Sequence, residues 1–136
     1  HIGGIGDGHR MKLLNNFLSL GYAAIYSEAL TMAKKVGIPV AEFDKVIRGG
    51  RMDCGFYQTF MGYTLDGNRE AHRFTITNAY KDLRYVESMA NGAGMVTAVA
   101  SAAKNSFAMA MATGGDGPED YVPHLPDFVG RMNGIK

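Results

Sequence analysis

Apolar positions dominate the first third of the chain. Leu13, Leu14, Phe17, Leu18, Ile25, Ala29, Leu30 and Ala33 recur at helical spacing, and no charged residue falls between Phe17 and Ser27. The pattern predicts a helix from about Gly8 to Val36. Almost no polar stripe interrupts it, so it reads as a central helix buried on every side. Asp7 suits its N-cap, Lys34 and Lys35 suit the negative end of its dipole, and Gly37 followed by Pro39 ends it.

The later pattern predicts further helices. Val40, Phe43 and Ile47 make one face of a second helix, which starts at Pro39 or Val40 and is closed by Gly49-Gly50. Phe56, Tyr57, Phe60 and Tyr63 suit a short helix, and Asp66-Gly67-Asn68 is a turn signal. From about Thr77 the helical period returns with Ala79, Leu83, Val86 and Ala90, and Asn91-Gly92 stops it. Lys81 and Asp82 fall off that apolar face. The alanine- and methionine-rich segment from Met95 to Thr113 reads as another buried helix, its methionines as core filler, closed by Gly114-Gly115. A last helix begins near Pro123, where a first-turn proline is tolerated. No alternation of β-branched residues extends beyond Phe74–Thr77. The fold class expected is therefore all-α: a single domain over residues 1–136, built around one long N-terminal helix.

Composition narrows the function. A chain of 136 residues with 46% apolar and 20% charged residues is an ordinary globular domain. The net charge of +1 gives no footprint for nucleic acid or an anionic membrane. The apolar run from Phe17 to Ser27 is too short to cross a bilayer. With Cys54 as the single cysteine, no internal disulfide can form, and a cytoplasmic location is the expectation. The chain opens on His1 without a methionine and reads as a piece of a longer protein.

Several chemistries find no support in the spacing. Four glycines at positions 3, 4, 6 and 8 suggest a phosphate loop, yet neither Gly4-Ile5-Gly6 nor Gly6-Asp7-Gly8 is followed by the third glycine of a dinucleotide loop. His9 stands where a phosphate loop needs lysine. His1, His9, His72 and His124 are scattered without metal-ligand spacing. Cys54 has no evident base, and no serine lies in a nucleophile motif.

Lys12 is different. Asn16 lies four residues on, and so on the same helix face, with Asn15 beside it. A lysine at the edge of a core helix is ordinarily a cation reaching for water. Two asparagines inside an apolar helix need partners, because asparagine is a poor helix-interior residue. The functional reading is a buried amine that moves protons, with Asn16 orienting it and a substrate.

The run Gly3-x-x-Gly6-x-Gly8-x-x-x-Lys12-x-x-Asn15-Asn16 resembles the signature opening the C-terminal domain of the β-hydroxyacid dehydrogenases, which include 3-hydroxyisobutyrate dehydrogenase and tartronate semialdehyde reductase. Phe74 followed seven residues later by Lys81-Asp82-Leu83 is a second similar patch. Arg48-Gly49-Gly50 and the Gly114-Gly115-Asp116-Gly117 turn are weaker ones.

The resemblance implies an all-helical domain like the 6-phosphogluconate dehydrogenase C-terminal domain. It also implies an N-terminal Rossmann domain, absent from this chain, that holds NAD or NADP. Lys12 would be the general acid/base in oxidising a small 3-hydroxy acid or reducing its semialdehyde. Asn16, with Asn15, would bind substrate, and Lys81 with Phe74 would close over the cofactor. A homodimer or homotetramer is expected, and the chain alone is expected to show no turnover. Two rivals stand beside this reading. One is a non-catalytic helical dimerisation or binding module in which Lys12 and Asn16 only stitch helices; the other is a degenerate relative that binds a small acid without catalysis. The segment from Arg51 to Gly55 departs from the small residues common in relatives, which bears on substrate identity.

Overall fold

The computed structural model describes residues 6–114 and 120–135. Six helices follow in order: α1 (Asp7–Lys35), α2 (Val40–Ile47), α3 (Gly55–Asp66), α4 (Ile76–Gly92), α5 (Ala98–Thr113) and α6 (Leu125–Met132), the last preceded by a 3-10 turn over Val122–His124. Among the described residues there is no strand, only an isolated antiparallel bridge between Thr75 and Tyr121. The all-α expectation holds.

The punctuation has local causes. Gly37 adopts φ +84°, a left-handed conformation that costs glycine little, and the chain then leaves α1 through Pro39. Cys54 caps α3, its Sγ accepting from the Tyr57 N–H at 3.4 Å. Thr75 caps α4 through Oγ1, which accepts from the Asn78 N–H at 3.1 Å. At α1 the expectation fails by one position. Gly6, at φ +89°, takes the N-cap place, and Asp7 becomes the first helical residue, 3.1 Å from Arg10. Its charge still lies at the positive end of the dipole. The helix expected from Met95 begins only at Ala98, because Gly94 at φ +77° and the bond from the Met95 N–H to the Ala90 carbonyl finish α4 first. Gly115, Asp116 and Gly117 of the expected late turn, and Gly3, Gly4 and Ile5 of the opening cluster, lie outside the described residues.

α1 is the rod on which the others pack, touching α2, α4, α5 and α6. Leu20, Ala23 and Leu30 of α1 meet Tyr57, Phe60 and Met61 of α3, Leu83 of α4, Phe107 of α5, and Leu125 and Phe128 of α6 in the main core. A smaller cluster, Leu13 with Val86 and Ala100, fixes the start of α1 against α4 and α5. Two hydroxyls buried in α1 are satisfied within the helix, Ser27 on the Ala23 carbonyl and Thr31 on the Ser27 carbonyl.

Burial on every side of α1 is not what the fold shows. Met11, Leu14, Leu18, Tyr22, Ile25, Met32 and Val36 are exposed along the face opposite the core. Their spacing of three, four or seven keeps them on one continuous ridge. The methionine-rich α5 departs in the same way: Met109 and Met111 are exposed, as are Met95 and Val96 ahead of the helix, while the core takes Ala100, Ala103, Phe107 and Ala110. The apolar character is there, but among the described residues only one flank of α1 and of α5 is covered.

Candidate active site

The two lysine motifs are brought to the same seam. α1 carries Lys12, Asn15 and Asn16 in its second and third turns, and the Leu13–Val86–Ala100 cluster holds that part of α1 on α4. Across the seam Asn16 Nδ2 donates to Asp82 Oδ2 at 2.9 Å, a half-buried hydrogen bond between residues 66 apart. Lys81 is the neighbour of Asp82 on α4. The helix backbone thus sets Lys12 and Asn16 on one face, and packing sets Asp82 against Asn16.

The setting of Lys12 differs from the expectation. Its side chain is exposed, and among the described residues it has no hydrogen-bond or ion-pair partner. This chain does not supply the dry surroundings that a buried amine needs. Lys12 also stands beyond the first helical turn, where the dipole acts most strongly. Asn15 and Lys81 are likewise exposed. Phe74 is half-buried at the edge of the main core, its ring stacked on His72 at 6.0 Å, and its carbonyl accepts from the Val122 N–H at 2.8 Å. His72 lies between Phe74 and Phe56, and burial pushes its imidazole below its ordinary value of 6.5.

Asp82 makes a contact that the sequence does not announce. It stood in the Lys81-Asp82-Leu83 patch, but nothing in a single sequence pairs it with Asn16. Two grooves line the ridge elsewhere, of about 420 Å³ and about 210 Å³, with Glu28, Met32 and Ser106 common to both. Neither is lined by Lys12, Asn15, Asn16 or Lys81. Among the described residues no cluster of three or more histidine, cysteine or acidic side chains is placed to hold a metal ion. No helix among them is long and apolar enough to cross a membrane.

Comparison with known proteins bears on this seam directly. The sequence model of a family described as the NAD-binding domain of NADP-dependent 3-hydroxyisobutyrate dehydrogenase matches residues 6–123. The chain belongs to this family. The match runs through both lysine segments, and the family's description supports NAD or NADP as the cofactor class.

Relatives agree. The chain is 28% identical over 112 residues to 3-sulfolactaldehyde reductase of Escherichia coli, covering 82% of this chain and 38% of that protein. It is 24% identical over 114 residues to the chloroplastic glyoxylate/succinic semialdehyde reductase 2 of Arabidopsis thaliana, covering 84% of this chain and 32% of that one. In fold it is similar to the crystal structure of a 3-hydroxyisobutyrate dehydrogenase from Salmonella typhimurium, with a TM-score of 0.75 and 24% identity over 90% of this chain and 41% of that chain. The chain therefore spans about two-fifths or less of the length of these proteins.

Proposed function

We propose that this chain is the C-terminal domain of an NAD(P)-dependent 3-hydroxy acid dehydrogenase and that Lys12 is its proton-transfer residue. The observation that carries the reading is the Asn16–Asp82 hydrogen bond, which joins the segment bearing Lys12 to the segment bearing Lys81. Reducing a semialdehyde leaves negative charge on its oxygen, and a lysine held one helical turn from a carboxamide is a suitable donor to that oxygen. In the reverse direction the same amine takes the hydroxyl proton. Asn16 orients the reacting groups, with the exposed Asn15 beside it on the substrate side.

The cofactor, when bound, supplies or accepts the hydride. Lys81 and Phe74 suit its closing edge: an exposed ammonium without an internal partner among the described residues attracts an anionic group, and a half-buried ring offers a flat apolar face. A Rossmann domain outside this chain holds the remainder and supplies the dry roof that Lys12 lacks here. Two consequences follow for the chain alone: it turns over no substrate, and it self-associates through the exposed ridge of α1.

The decisive experiment is Lys12→Met in the protein that joins this chain to its cofactor domain, followed by nicotinamide absorbance with small 3-hydroxy acids and semialdehydes. Loss of kcat with the fold intact supports the assignment; unchanged turnover sinks it. Robust turnover by this chain alone would refute the need for a second domain. For assembly, Ile25→Asp is expected to convert the oligomer into a folded monomer by light scattering, because a carboxylate on the apolar ridge cannot be buried there without a partner. An unchanged mass would place the interface elsewhere.

A further inference from the structure

A carboxamide has two unlike ends, an acceptor oxygen and a donor NH2, and half a turn about its last torsion exchanges them. Near a proton-transfer lysine the difference matters. The oxygen accepts from an ammonium, whereas the NH2 confronts it with another donor. What fixes the choice at Asn16 lies on the other helix. A carboxylate offers acceptors only, so the end of Asn16 that meets Asp82 must be the NH2, and Nδ2 lies 2.9 Å from Asp82 Oδ2.

Asp82 has no competing structural employment. It stands well inside α4, past the Thr75 cap, where aspartate is a poor helix former. Among the described residues it makes no ion pair, in contrast to Glu87 one and a half turns on, which is engaged by Lys104 and two hydroxyls. Its side chain is half-buried at the seam, where a solvated charge would not ordinarily be placed.

We propose that Asp82 is a positioning residue of the reaction. By holding Nδ2 of Asn16, it turns Oδ1 away from α4 and offers it as the acceptor for an N–H of Lys12. The inference rests on the function proposed above. A hydroxyl has one proton, and in the oxidising direction that proton goes to the Lys12 amine, so the oxygen of Asn16 acts on a Lys12 N–H in both directions.

The test is a double-mutant cycle in the protein that joins this chain to its cofactor domain, with kcat, both KM values and melting temperature measured for Asn16→Ala, Asp82→Ala, Asp82→Asn and the double alanine variant. Asp82→Ala is expected to lower kcat about 10- to 100-fold, the size of one hydrogen bond to a charged group, and to leave the cofactor KM in place. In the Asn16→Ala background it should add nothing. Asp82→Asn, whose own amide oxygen can accept from Asn16, should recover part of the loss. If Asp82→Ala does not fold, Asp82→Asn decides by the same criterion: a loss that disappears in the Asn16→Ala background. Losses that multiply in the double variant overturn the proposal, as does full kcat in the Asp82 variants when Asn16→Ala is impaired. If Lys12→Met and Asn16→Ala both leave turnover intact, the functional reading fails and the proposal with it.

Discussion

The seam between α4 and α5 and the seam between α1 and α4 both carry a lysine and an acidic residue, yet they are built in opposite ways. At the first, Lys104 donates directly to Glu87, whose carboxylate also accepts from Ser101 and Thr97, and the pair is largely covered. At the second, the acid bonds an amide, and both lysines are left exposed. The corner before α6 follows the first pattern. The His124 ring is buried, with Nδ1 accepting from the Tyr121 N–H at 3.1 Å and Nε2 3.0 Å from the Arg69 carbonyl, so Nε2 carries the proton. Polar groups satisfied on all sides can hold helices together but have nothing left to offer a ligand. Those around Lys12 have been left with something to offer.

This contrast can be broken from either side. The largest effect belongs to the open seam: Lys12→Met should lower kcat of the complete enzyme by about 10² to 10⁴, the usual span for a general acid or base, while its melting temperature stays put. The reciprocal change is His124→Leu. It strands the Tyr121 N–H and the Arg69 carbonyl, and is expected to cost about 1–3 kcal/mol in urea unfolding without altering the rate per folded molecule. A large rate loss there would mean that the sealed corner is not merely structural.

The smallest effect concerns pH. Hydrogen bonds from Lys104 and Ser101 hold the Glu87 carboxyl below its ordinary value of 4.5. A carboxylate depressed in the folded state adds stability that is fully present above 4.5 and is lost as pH falls through the lowered value. Lys104→Met should therefore lower the melting temperature at pH 7 by a few degrees and by much less in strong acid, as read by thermal scans across pH. An equal drop at both would show that Lys104 acts through packing alone.

How far the sequence carried the fold can be traced residue by residue. The apolar period with Gly37, Gly67 and Pro39 located α1, α2 and α3, because turn chemistry is local and a glycine at positive φ announces itself. What covers a helix is not local. Leu18 and Ile25 look the same in sequence whether their cover comes from the same chain or from elsewhere, so α1 was read as buried throughout. Lys12 and Asn16 were legible as a pair because helix geometry fixes residues four apart. The partnership of Asp82 with Asn16 is not legible, since no periodicity links residues 66 positions apart; the packing of α1 on α4 brings them together.

α1 runs for 29 residues without a break, about 43 Å of stiff spar with Lys12 near one tip and an apolar flank along its length. The helix is unbroken, so a tilt imposed at its far end arrives at Lys12 as the swing of a lever. The reach of the amine is thereby geared to how the rest of the spar is clamped.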